Sequence, residues 1–213
     1  MGIIAKEDSF ERELMPEATH DAICCWVIDL GHRDITFRDK VKNLWQVRLV
    51  FEVPGQRIVL ERDDKEVDLP RVIGQDYTVS LDSRSNLRHH LDSWRGKRFS
   101  ETDLKGFDLV QLVSVPCALQ IMHETSAKGK TFEKINNILP ATEAGKQLKV
   151  EGNEIYFSLM DNMDIPEALP EWLVEKIKAS DEWRRDGGVD APAPDDDLPY
   201  SDNKDDDPFD PPF

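Results

Sequence analysis

Hydrophobic and polar positions alternate most cleanly from Leu44 to Val53. Trp45, Val47, Leu49, Phe51 and Val53 fall on one face, and Gln46, Arg48 and Glu52 on the other. A period of two predicts a half-buried antiparallel strand, and Pro54-Gly55 ends it. Ala22 to Leu30 is a nearly continuous run of apolar and β-branched residues that reads as a strand ending at Gly31-His32. Asp34 to Arg38 is short and alternating. Residues 56–75 are polar and read as a small hairpin turning near Arg62-Asp63-Asp64. Tyr77–Leu81, Val115–His123 and Thr131–Leu139 are further strands, the last two joined by a turn at Lys128-Gly129-Lys130 and closed by Pro140. Ile155–Leu159 is one more candidate.

The period changes to helical after Leu81. Asp82-Ser83 is a candidate cap, and Leu87, Leu91 and Trp94 form an apolar stripe at helical spacing. Ser100-x-x-Asp103 has the form of a capping box, opening a short helix that stops at Gly106. Pro166 starts a further helix with Leu169, Leu173 and Ile177 on one side. The expected fold class is mainly β. Short strands with one helix between the third and fourth fit a small closed Greek-key barrel of the OB type, with a β-sandwich as the alternative. The organisation that follows is an N-terminal arm (1–19), a barrel domain (20–160), a C-terminal helical segment (161–185) and an acidic tail (186–213).

Charge separates these parts. The net charge is −16, yet residues 32–149 carry 20 basic and 17 acidic side chains. A polyanionic ligand for the barrel is therefore open, because charge acts by segment. From Asp186 onward there are ten acidic residues and one lysine in 28 positions, with apolar residues too sparse to offset the entropy of ordering, so disorder is expected. No secretory or myristoylation pattern is visible at the start. The longest apolar run, Ala22 to Ile28, is far short of the ~20 residues a bilayer span needs. A soluble cytoplasmic protein without membrane contact is expected. Cys24, Cys25 and Cys117 are an odd set with an adjacent pair, which reads as reduced, buried thiols. A zinc site with His123 would lack the paired spacing such sites show, and no cofactor is expected.

The tail ends Asp205-Asp206-Asp207-Pro208-Phe209-Asp210-Pro211-Pro212-Phe213. An acidic run closed by Pro-Phe resembles the C-terminal tip of bacterial single-stranded-DNA-binding proteins. That resemblance implies partner docking by Asp205, Asp206, Asp207, Phe209, Asp210, Pro212 and Phe213. The terminal ring would fill an apolar pocket while the carboxylates pair with basic residues around it. Within the barrel, Ser83-Arg84-Ser85-Asn86-Leu87-Arg88, Ser93-Trp94-Arg95-Gly96-Lys97, Gly106-Phe107-Asp108-Leu109, Pro116-Cys117 and Gly129-Lys130-Thr131-Phe132 resemble bacteriophage proteins of replication and single-stranded DNA binding. The chain departs from that pattern at Ser114-Val115, where a glycine is expected nearby. The resemblance implies a host-cell cytoplasmic setting, replication or recombination proteins as partners, and a possible homo-oligomer.

Single-stranded DNA needs cations for phosphates and flat rings for bases. Arg84, Arg88 and Arg95 fall within ~40° on a helical wheel at ~100° per residue, and Lys97 and Arg98 extend them. Lys40, Lys42 and Arg48 add charge near the second strand. Phe132 and Lys134 share a strand face beyond Lys130, and Tyr77 is a further stacking candidate. Trp45, Phe51 and Trp94 read as core. No Walker, nucleophile-elbow, metalloprotease or deaminase signature is present. The expectation is therefore a binding protein and not an enzyme, with a protein adaptor or DNA mimic as the alternative.

Overall fold

The computed structural model describes residues 13–37, 40–62, 65–126 and 129–186. Its elements in chain order are β1 (Ala18–Phe37), β2 (Lys40–Arg62), β3 (Lys65–Thr78), α1 (Asn86–Arg95), β4 (Pro116–Thr125), β5 (Thr131–Pro140), β6 (Ile155–Phe157), α2 (Glu171–Lys178) and α3 (Asp181–Asp186). The fold is mainly β. One sheet runs β3-β2-β1-β4-β5 with antiparallel neighbours, and β6 pairs parallel to β1.

β1 is one strand where two are expected. Gly31 interrupts the ladder without ending it, because its φ of 67° is accessible to a residue without Cβ and sits at a register shift between Asp29 and Gly31. β2 likewise continues through Pro54-Gly55, with the register slipping between Val53 and Arg57. Residues 56–62 and 65–75 therefore form the far half of a long β2–β3 hairpin, as the polar pattern implied, and Asp63-Asp64 of the expected turn lie outside the described residues. α1 begins a turn later than Asp82-Ser83, since Asp82 accepts the Arg84 N–H at 3.0 Å and closes a local turn. Ser100 and Asp103 do bond reciprocally, each backbone N–H to the other's side chain at 3.2 Å, around a 3₁₀ turn at Asp103–Lys105. α2 begins at Glu171 and not at Pro166: a helix running through Pro170 would lose the bond to the carbonyl of residue 166.

The main core lies on one face of the sheet. Val47, Leu49, Phe51 and Val53 of β2, Leu119 and Ile121 of β4, and Ile135 and Ile138 of β5 meet Leu87, Leu91 and Trp94 of α1 there. β1 buries both faces. Ile28 and Leu30 belong to a second cluster with Ile155, Phe157, Leu159, Leu169, Leu173 and Ile177, so α2 and α3 form an outer layer over β1 and β6. Cys24, Cys25 and Cys117 are buried and free. Burial raises all three thiols, Cys25 to about 12, which leaves them unreactive near neutrality.

The closed barrel expected from the pattern is not formed by backbone. β3 and β5 are the two ends of the strand order and share no ladder. Side chains and the N-terminal segment fill one end of that seam instead. Met15 is fully buried; its N–H donates to Glu133 at 2.6 Å and its carbonyl meets His123 Nε2 at 2.7 Å. Arg71 of β3 donates to the Glu13 carbonyl and lies 3.9 Å from Glu133 of β5. Residues 13–15 thus link β3, β4 and β5 where a ladder would otherwise run.

Candidate nucleic-acid interface

The other end of the seam is an open cleft of about 110 Å³ lined by Arg48, Gly74, Gln75, Asp76, Phe132, Glu133, Lys134 and Ile135. One water needs about 10–15 Å³, so the cleft has room for more than a bridging water. Register explains who faces it. Arg48 pairs with Asp76 across β2–β3, and Gly74 stands beside them because a Cβ there would lie 2.9 Å from the Arg48 guanidinium. Arg48 lies against that bare backbone, donating to Asp76 Oδ1 at 2.6 Å and to the Gly74 carbonyl at 3.2 Å.

Lys176 of α2 reaches the second Asp76 oxygen. Burial alone would raise Asp76, but the charges and hydrogen bonds of Lys176 and Arg48 outweigh it and hold the carboxyl below its usual range. Burial lowers Lys176, helped by the positive charges of Arg33 and Arg48 and opposed by Asp76. Two cations thus share one anion beside the cleft. Across it, Lys134 is only partly exposed and bonds Glu124 at 2.9 Å. Phe132 is half-buried.

The predicted site residues separate into groups. Arg48, Phe132 and Lys134 meet at the cleft, and Lys130 is exposed two residues before Phe132 on the β4–β5 turn. Lys40 and Lys42 are exposed at the start of β2, six to eight residues from Arg48, or ~20 Å or more at ~3.3 Å per residue. The arginines around α1 do not form one stripe. Arg84 precedes the helix and bonds Asp82 at 3.2 Å. Arg88 donates to the Leu81 carbonyl at 3.0 Å and pairs with Asp92 at 3.7 Å. Arg95 lies 4.2 Å from the Phe99 centroid and 5.5 Å from that of Phe107, and bonds Asp103 at 3.1 Å. Each of the three has a partner close by in the sequence, and Arg84 remains largely exposed. Lys97 and Arg98 are exposed beyond the helix C-cap at Gly96.

Tyr77 is in the core, with its hydroxyl 2.9 Å from His90 Nδ1, so its ring is closed to a base. Burial drives His90 down to about 4, against a hydrogen bond to the Asn136 backbone that favours the charged form. The neutral tautomer that serves both partners carries its proton on Nε2, toward Asn136, and accepts from Tyr77 at Nδ1.

Trp172 stands beside the cleft against one of its lining residues, and sequence reasoning did not select it. It lies on α2 over Arg48, 4.9 Å from guanidinium carbon to ring centroid. Its signal was available: it stands off the Leu169–Leu173–Ile177 stripe, ~100° from Leu173 and on one face with Lys176 four residues on. The tip residues Asp205, Asp206, Asp207, Phe209, Asp210, Pro212 and Phe213 lie outside the described residues. Among the described residues, no cluster of His, Cys, Asp or Glu could hold a metal ion, and no helix is long and apolar enough to cross a membrane. No protein-family model matches the chain, and no curated protein matches it.

Proposed function

We propose that this chain binds single-stranded DNA with little sequence preference, and that its acidic tip recruits replication or recombination proteins. The observation that carries the reading is the cleft between β3 and β5, where Arg48 of β2 meets Phe132 and Lys134 of β5. Cations beside an aromatic ring are what a single strand needs: charge for phosphates and a face for bases. The strand order β3-β2-β1-β4-β5, with a helix between β3 and β4, supports an OB-type connectivity whose closing pair is left open. OB folds bind oligonucleotides on the strand 2–3 face and its flanking loops, and Arg48 and Asp76 lie on β2 and β3. The resemblance to phage single-stranded-DNA-binding proteins points the same way.

Anisotropy of a labelled oligothymidine, titrated with the full chain at several salt concentrations, tests this. The expected result is binding that weakens as salt rises and that exceeds binding to a duplex of equal length. Absence of binding, or binding indifferent to salt, overturns the reading and favours the adaptor alternative. Removing Pro208 to Phe213 should preserve DNA binding and abolish capture of a replication partner.

A further inference from the structure

Trp172 is 48% exposed although it sits on a helix that buries Leu173 and Ile177 completely. One side of the indole rests near the Arg48 guanidinium. Arg48 is itself immobilised by Asp76 and the Gly74 carbonyl. Lys176, one helical turn from Trp172, is bonded to that same Asp76. The ring therefore rests against an arginine that is itself fixed in place beside the cleft, while about half of its surface stays open to solvent. A rigid, exposed aromatic beside cations is preorganised to stack on a flat ligand.

We propose that Trp172, backed by Arg48, is a nucleobase-stacking platform that the outer layer contributes to the cleft, with Asp76 and Lys176 as its positioning residues. The inference rests on the single-stranded DNA reading and deepens it: the occupant is a base of a single strand, whose phosphates run toward Lys134 and Lys130. The exposed carboxylates Glu171 and Glu175 of α2 border the platform, so the phosphates lie on the β5 side of the ring.

The test uses the full chain with Trp172→Ala, Trp172→Phe and Arg48→Lys. Two labelled probes are titrated against each: oligothymidine, and an abasic strand of equal length. Trp172→Ala should weaken oligothymidine binding roughly 5- to 150-fold, the range that follows from losing ~1–3 kcal/mol of base stacking. It should leave the salt slope and the abasic affinity unchanged. Trp172→Phe should recover most of the loss. Arg48→Lys keeps the charge but loses the planar backing, and should weaken oligothymidine more than the abasic strand. Wild-type affinity in Trp172→Ala overturns the platform while leaving DNA binding standing. An equal loss on both probes, or a loss that Phe does not repair, shows a merely structural tryptophan and also overturns it. Failure of the unaltered chain to bind either probe overturns the DNA reading and the platform together.

Discussion

The two faces of the sheet are held in different ways. The inner face is closed by apolar contact: α1 lays Leu87, Leu91 and Trp94 on strands that present Val, Leu, Ile and Phe. The outer layer has a smaller apolar cluster and is seated by polar anchors, of which Asp29 and Glu52 are buried and Glu182 is half-buried. Asp29 accepts from Gly31 N–H at 2.9 Å, Trp45 Nε1 at 2.7 Å and Leu159 N–H at 3.1 Å. Glu52, 3% exposed, accepts from the N–H groups of Glu151 and Gly152 at 2.8 and 3.0 Å. Glu182 takes the His32 N–H at 2.8 Å and its ring Nδ1 at 2.5 Å. A buried carboxylate is tolerated only where donors surround it, so each anchor accepts one placement of the outer layer. Apolar packing supplies the inner face with stability; the anchors give the outer face a defined position. That position is what a site built between layers requires.

Gly31→Ala should break the comparison most severely. The position combines a left-handed backbone with a Cβ that would lie 2.5 Å from Ser180 Cβ and Glu182 Oε2 and 2.9 Å from Leu159. Left-handed strain of about 1–2 kcal/mol and overpacking of about 1–3 kcal/mol together predict a loss of roughly 2–5 kcal/mol by urea denaturation. The loss should concentrate in the outer layer. Hydrogen exchange should accelerate at Leu159, Leu173 and Ile177 well before Leu119 and Ile138. Uniform acceleration would mean that the layers unfold as one unit.

His90 probes the inner face through pH. Its pKa is about 4 in the fold and about 6.5 in an unfolded chain. The unfolded state therefore binds the extra proton first as pH falls. Stability is full above about pH 6.5 and declines until pH reaches about 4, by about 3 kcal/mol in total. Asp76, whose carboxyl is lowered in the fold, adds a further loss that begins only below the unfolded Asp value near 3.9. His90→Gln should flatten the slope between pH 6.5 and 4 and leave the lower one. A slope that survives the substitution would assign the acid sensitivity to another group.

How much of this was legible in the chain follows from the same contrast. The continuous run Ala22–Leu30 was a sign of burial on both faces, and β1 is sandwiched between the two clusters. The strict alternation of Leu44–Val53 was read as one buried and one solvated face. The inner half of that reading holds for Val47, Leu49, Phe51 and Val53; Trp45, expected in the core, is only half-buried, stacked on His32 and bonded to Asp29 instead. The outer half does not, because Arg48 is consumed by contacts with Gly74, Asp76 and Trp172, and Glu52 by contacts with Glu151 and Gly152. No local pattern carries contacts over that separation. Short-range signals such as the Ser100–Asp103 box, the α1 stripe and the pairing at the near end of β2 and β3 survive because their partners are neighbours in sequence. The cleft was half legible: residue type selected Arg48, Phe132 and Lys134, whereas Trp172, Gln75 and Gly74 became visible only when three strands and a helix were brought together.

The smallest effect is expected at the turn leading into β4, and with the opposite sign. Ser114 has φ of 62°, left-handed for a residue with a Cβ, at the place where the resembling sequences led one to expect a glycine. Its N–H donates to the Cys24 carbonyl at 2.8 Å, and the Cys24 N–H returns to Val115 at 3.1 Å, so the turn is sewn onto β1 and cannot relax its dihedrals. Ser114 is exposed, which means its side chain contributes little burial to lose. Ser114→Gly relieves about 1–2 kcal/mol of left-handed strain and gives back about 0.4–1 kcal/mol as unfolded-state entropy. A net stabilisation of about 0.5–1 kcal/mol should raise the urea midpoint at constant m-value. Because the turn belongs to the inner face, exchange at Leu173 and Ile177 should not slow more than exchange at Leu119. A destabilised variant would show that the Ser114 hydroxyl holds the turn, and that strain at this position is offset by a bond from its own side chain.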